Sequence, residues 1–297
     1  MSLIRIETKK YSDFLRERLL FEIDILKEDG TIIEIDEEKQ GDAIIFNCKL
    51  VTENNNFEDE VAIFREYIAN ILSDLIINRF EEDLLHKILK RNYQHFTPED
   101  EKKLIELASD RLNYLESKDD GAIISQIQRK NRILLEIVDY LTIKDVIILE
   151  GFVRFRLGEY ISELQLAVDQ AVNDLAVERE YEEFVYLLKH FVENQDPKIE
   201  LINVVKTEQN KFEFLNQFGT VLKNSYLDDD ILNLMEEDLD YQDLLISALI
   251  TLAPQEIVLH FKEPAEAVET IEGIFAERVC ICMGCKYCEI DSLNELE

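Results

Sequence analysis

Glycine and proline are scarce in this chain, at 8 and 4 among 297 residues, so few positions interrupt a helix and helix should dominate. Residues 1–10 alternate apolar and polar types and lack the continuous apolar stretch of a secretion signal. No apolar run reaches bilayer-spanning length; the best, residues 244–254, is interrupted by Ser247 and Thr251 and ends at Pro254. These absences lead to the expectation of a cytoplasmic protein with no membrane partner. In that compartment thiols stay reduced, and clustered cysteines bind metal more often than they form disulfides.

Positive charge is the other shortage. With 32 basic residues against 64 acidic ones the formal charge is −32, no basic patch is evident, and nucleic acid is not expected as a partner. Carboxylates are so abundant that a pair at helical spacing carries no evidence of general acid–base catalysis. Gly-rich phosphate loops, a Gly-x-Ser-x-Gly elbow and a His-Glu-x2-His pair are all missing, and His86, His95 and His190 stand isolated. A non-enzyme is favoured, acting through a protein partner whose identity, like the oligomeric state, the sequence leaves open; an enzyme with an unrecognised active site is the weaker alternative.

Four of the five cysteines fall in one short window near the chain end: Cys280, Cys282, Cys285 and Cys288. Thiolates are soft ligands, and two overlapping Cys-x2-Cys spacings let Cys282, Cys285 and Cys288 converge on one ion, with Gly284 easing the turn. The fourth ligand is contested. Cys280 would share a strand face with Cys282 but must form a tight chelate. His260, on the preceding strand, would lie opposite a core face of Ile257, Leu259 and Phe261, and so on the face of the thiols if the strands are neighbours. Its plainer reading is a surface or strand-edge histidine. A structural zinc site is the first expectation, an iron–sulfur cluster the second and a thiol redox pair the third. Cys48 reads as a small buried hydrophobe sharing a strand face with Ile44, Phe46 and Leu50.

The fold class expected is α+β, in three stretches. Residues 1–56 read as strand, helix, strand, strand (3–8, 11–28, 31–36, 43–51), ending in a polar loop at 52–56. Residues 57–196 read as helical, with a stripe of Val61, Phe64, Ile68, Leu72 and Leu75, a Thr97-Pro98 helix start, a break at 117–121, a helix over 122–141 and one long helix over 146–193. Residues 197–297 return to mixed structure, either as a separate region or as one continuous domain with residues 1–56, with strands at 199–206 and 211–217 joined by a turn at 207–210, and helices over 228–237 and 240–252. A βαβ unit follows (strand 256–261, helix 264–277, strand 278–282), closed as a right-handed parallel crossover that ends in the cysteine window.

The run Phe152-Val-Arg154-Phe155-Arg156-Leu157-Gly158-Glu159-Tyr160, then Glu178-Arg179-Glu180-Tyr181-Glu182-Glu183-Phe184, resembles the signature of the sporulation protein YtxC family. Phe275-Ala-Glu-Arg278-Val279 leading into Cys282, Cys285 and Cys288 is similar to it as well. The resemblance implies a cytoplasmic protein of endospore-forming bacteria and supplies no activity, substrate or catalytic residue. It matches the terminal cysteines to Cys282, Cys285 and Cys288 and leaves Cys280 as a departure. Within the signature, Arg156 and Arg179 are the best non-cysteine interaction candidates, because arginine is costly to bury without a partner.

Overall fold

A computed structural model of the chain describes residues 2–28, 32–51, 57–113, 121–207, 212–222 and 241–288. The expected helix over 228–237, the cap at Asp240, the loop at 52–56 and most of the breaks at 117–121 and 207–210 lie outside them. The architecture is α+β, and the chain divides into two compact units, Met1–Ala176 and Val177–Glu297.

The first unit opens with β1 (Ser2–Thr8), α1 (Ser12–Glu28), β2 (Ile32–Gln40) and β3 (Ala43–Val51). Period-two alternation puts Ile4, Ile6 and Thr8 of β1 and Phe46, Cys48 and Leu50 of β3 inside. Cys48 is fully buried, and burial pushes its thiol up to about 12, as suits a small hydrophobe. The helices follow: α2 (Phe57–Leu75), a π-helical turn (Ile76–Phe80), α3 (Glu81–Asn92), α4 (Pro98–Asn113) and α5 (Gly121–Ile143). The whole predicted stripe from Val61 to Leu75 is buried. Thr97 and Asp100 cap α4 reciprocally: the Thr97 hydroxyl accepts from the Asp100 N–H at 3.2 Å, and the Asp100 carboxylate accepts from the Thr97 N–H at 3.1 Å.

The one long helix expected over 146–193 is instead three elements: β4 (Val146–Ile148), α6 (Leu149–Arg156) and α7 (Gly158–Glu193). The β-branched run Val146-Ile147-Ile148 pairs in parallel with Arg5, Ile6 and Glu7, burying Ile147 completely. Leu157 then leaves helical geometry (φ −92°, ψ 43°) just before the poor helix former Gly158. The sheet order is β2-β3-β1-β4, and one core joins its inner face to α1–α7. Residues on both sides of position 56 therefore share a core.

In the second unit β5 (Ile199–Lys206) pairs antiparallel with β6 (Phe212–Asn216), and after α8 (Tyr241–Leu252) comes β7 (Pro254–Leu259), parallel to β5. Helix α9 (Ala265–Phe275) and a 3-10 turn (Ala276–Arg278) lead to β8 (Val279–Ile281), parallel to β7. This is the expected βαβ unit, and the sheet order is β6-β5-β7-β8. A smaller core gathers Ile202, Val204, Ile257, Leu259, Ile271 and Phe275, with Val279 and Ile281 packed against it. Edge strand β8 is three residues long, and the cysteine window begins on it.

Candidate metal centre

Strand β7 ends one residue before His260, whose backbone N–H donates to the Val204 carbonyl of β5 at 2.9 Å. That bond fixes the residue at the end of the sheet, where its ring is buried, at 8% exposure. His260 is therefore not a surface histidine. Across the parallel ladder the chain leaves β8 with the Cys282 N–H donating to the Leu259 carbonyl at 2.9 Å, so Cys282 enters the same end of the sheet. Gly284, at φ 134°, sits where only glycine is comfortable. A tight turn then closes with the Cys288 N–H donating to the Cys285 carbonyl at 2.9 Å.

The result is a compact donor set: His260, Cys282, Cys285 and Cys288, with every ligand atom within 4.8 Å of the others. The Nδ1 of His260 lies 3.3 Å from the Cys285 Sγ and 3.4 Å from the Cys288 Sγ, and those two sulfurs are 4.0 Å apart. Tetrahedral zinc, with Zn–S near 2.3 Å and Zn–N near 2.05 Å, demands S···S of about 3.8 Å and S···N of about 3.6 Å. The observed separations fall within a few tenths of an ångström of both values.

Electrostatics prepare two of the four donors, Cys285 and His260, for a cation. The Tyr287 backbone N–H, 3.3 Å from the Cys285 sulfur, holds that thiol below its ordinary pKa by stabilising the thiolate. Burial lowers the pKa of His260, favouring the neutral ring that a metal requires. Cys288 runs the other way, pushed up to about 11 by burial, so a bound cation would have to displace its proton.

Sequence reasoning missed Asn203. Its Oδ1 is 3.0 Å from His260 Nε2, while its own amide N–H donates to the Asn216 carbonyl at 3.3 Å. The second bond orients the amide, so Oδ1 accepts from Nε2–H and the lone pair of the imidazole is left on Nδ1, facing the sulfurs. Outer hydrogen bonds of this kind orient metal-ligating histidines. A signal was present in the sequence: a lone amide in the apolar strand Ile202-Asn203-Val204-Val205. Tyr287 closes another side, its ring edge-on to His260 at 5.4 Å, with its hydroxyl filling the space a side chain at Gly219 would need.

Cys280 stays outside the group. It is exposed, because Val279 and Ile281 turn to the core and the strand carries it about 6.6 Å back from Cys282. Of the two competitors for the fourth position, the geometry brings His260 to the thiols. Arg156 and Arg179 are both exposed, and Arg156 lies over the Tyr140 ring at 5.5 Å. The arginine that is buried is Arg129, at 1% exposure, held by Glu81 at 3.3 Å, by Asn113 at 3.0 Å and by the Leu112 carbonyl; Tyr160 donates to the same Glu81 at 2.8 Å. Among the described residues no helix is long and apolar enough to cross a membrane.

No solved structure matches the chain. A protein of Bacillus subtilis (strain 168) named "Uncharacterized protein YtxC" is 23% identical to it over 218 residues, which is 72% of this chain and 76% of that one. The model of the YtxC-like family matches residues 66–280, a span that holds Asn203 and His260 and stops short of Cys282, Cys285 and Cys288. By that match the chain belongs to the YtxC-like family.

Proposed function

We propose that the protein is a non-enzymatic, partner-binding or regulatory factor of the sporulating cell's cytoplasm, in which His260, Cys282, Cys285 and Cys288 hold one structural zinc ion. The observation that carries the zinc reading is the convergence of three sulfurs on His260 Nδ1 while Nε2 is engaged by Asn203. Four donors this close suit a single ion; an iron–sulfur cluster, which places several metal atoms between its thiolates, needs them further apart. Four protein ligands leave no open coordination position, the arrangement of a structural rather than a catalytic site. The sporulation setting rests on the family resemblance.

Anaerobic purification without chelator, followed by metal analysis and an absorbance spectrum, tests the proposal. It predicts colourless protein with one zinc per chain, lost in His260→Ala and Cys285→Ser. Brown protein containing iron would replace zinc with a cluster, and metal-free protein of unchanged stability would end the proposal.

A further inference from the structure

The second unit carries a groove of about 770 Å³ that shares no lining residue with the His260–cysteine donor set. Tyr181, Phe184 and Leu188 come from one face of α7, and Ile246 and Ile250 from one face of α8. The floor is apolar, and Tyr181 hydrogen-bonds across it to Thr270 of α9. Gly273 helps set the packing: a methyl there would stand 3.0 Å from Val185 of α7, at the limit of what packing tolerates. Phe184 is 55% exposed, and Val177, Leu187 and Phe191 extend the apolar surface along α7. Contiguous aromatic and aliphatic exposure of this kind marks interaction surfaces.

The rim has one sign of charge. Asp243, Glu266 and Glu269 line it, and no lysine, arginine or histidine does among the described residues. An apolar channel between helices, flanked by carboxylates, has the shape and charge to take an amphipathic helix whose apolar face is bordered by lysine or arginine. Two other occupants carry the wrong sign. Residues 223–240 bring the acidic runs 228–230 and 236–238, and a second copy of this chain brings a net charge of −32.

We propose that this groove is the docking site for a basic amphipathic helix of a partner protein. The proposal deepens the partner-binding part of the functional reading, rests on it, and is independent of the zinc part. It is tested on the full chain with a helical peptide bearing leucine on one face and lysine on the other, and with its leucine/glutamate counterpart, by fluorescence anisotropy at physiological salt. The lysine peptide should bind, the glutamate peptide should not, and Phe184→Gln should weaken binding at least about tenfold. That substitution leaves the net charge unchanged, so the loss reports the groove rather than the acidity of the whole chain. Glu266→Lys with Glu269→Lys, both exposed, should weaken binding equally without touching the core. Equal affinity for wild type and both variants would overturn the site. So would a concentration-dependent dimer that Phe184→Gln abolishes, since a second copy would then be the occupant. Zinc content, measured on the same samples, reports the metal site separately, so a failed groove leaves that reading standing.

Discussion

The two units bury their ionisable groups by different means. The first has a large core drawn from seven helices and a sheet, and it encloses Arg129 by giving it a carboxylate, a side-chain amide and a backbone carbonyl. The second has a smaller core, and its sheet ends on a three-residue edge strand followed by a loop with few apolar contacts. Fixing the backbone of residues 282–288 costs about 7–14 kcal/mol at 1–2 kcal/mol per residue. Structural zinc binding in small peptides contributes about 10–16 kcal/mol, enough to offset that cost. The contrast is between a large unit that holds Arg129 with a carboxylate inside apolar packing and the end of a small sheet that, under the zinc proposal, a bound ion would cross-link.

Removing the metal should break the comparison most. Chelation is expected to destabilise the second unit by at least about 3 kcal/mol, with hydrogen-exchange protection lost in β7 and β8 and unchanged in β1 and β3. Equal loss in both units would mean that the metal does not act locally. In the first unit, Arg129→Met leaves the partly buried Glu81 without its cation and should cost about 3 kcal/mol in urea unfolding, with zinc content unaltered. A cost under about 1 kcal/mol would show that the pair is solvated.

Smaller effects sharpen the picture within the metal site. Asn203→Ala frees His260 to change tautomer and should weaken zinc affinity about 10- to 100-fold in competition with a chromophoric chelator, while the three thiolates remain. Affinity equal to wild type would remove Asn203 from the site. Cys280→Ser should change neither affinity nor stability, within about 0.5 kcal/mol, because the residue is exposed and outside the donor set.

Much of this was legible in the sequence, for identifiable reasons. The stripe from Val61 to Leu75 and the alternation around Cys48 are periodic signals that burial enforces directly. The βαβ unit followed from strand, helix and strand at a spacing that admits a parallel crossover. Strand β4 was not legible, because three β-branched residues at the start of a helical pattern reveal themselves only when Ile6 of a distant strand is available as a partner. The exact end of β7 also escaped. The strand was expected to run through Phe261, and its stop at Leu259 leaves His260 at the sheet end, where thiols arriving from β8 can meet it. Arg156 and Arg179 drew attention as costly side chains, yet the arginine that meets that cost is Arg129, whose acceptors lie 16 to 48 residues away in sequence.

The most direct test of the central claim, that His260 rather than Cys280 completes the site, is zinc X-ray absorption fine structure on anaerobically purified protein. The account predicts three sulfurs at about 2.3 Å and one nitrogen at about 2.0 Å. Four sulfurs and no nitrogen would contradict it.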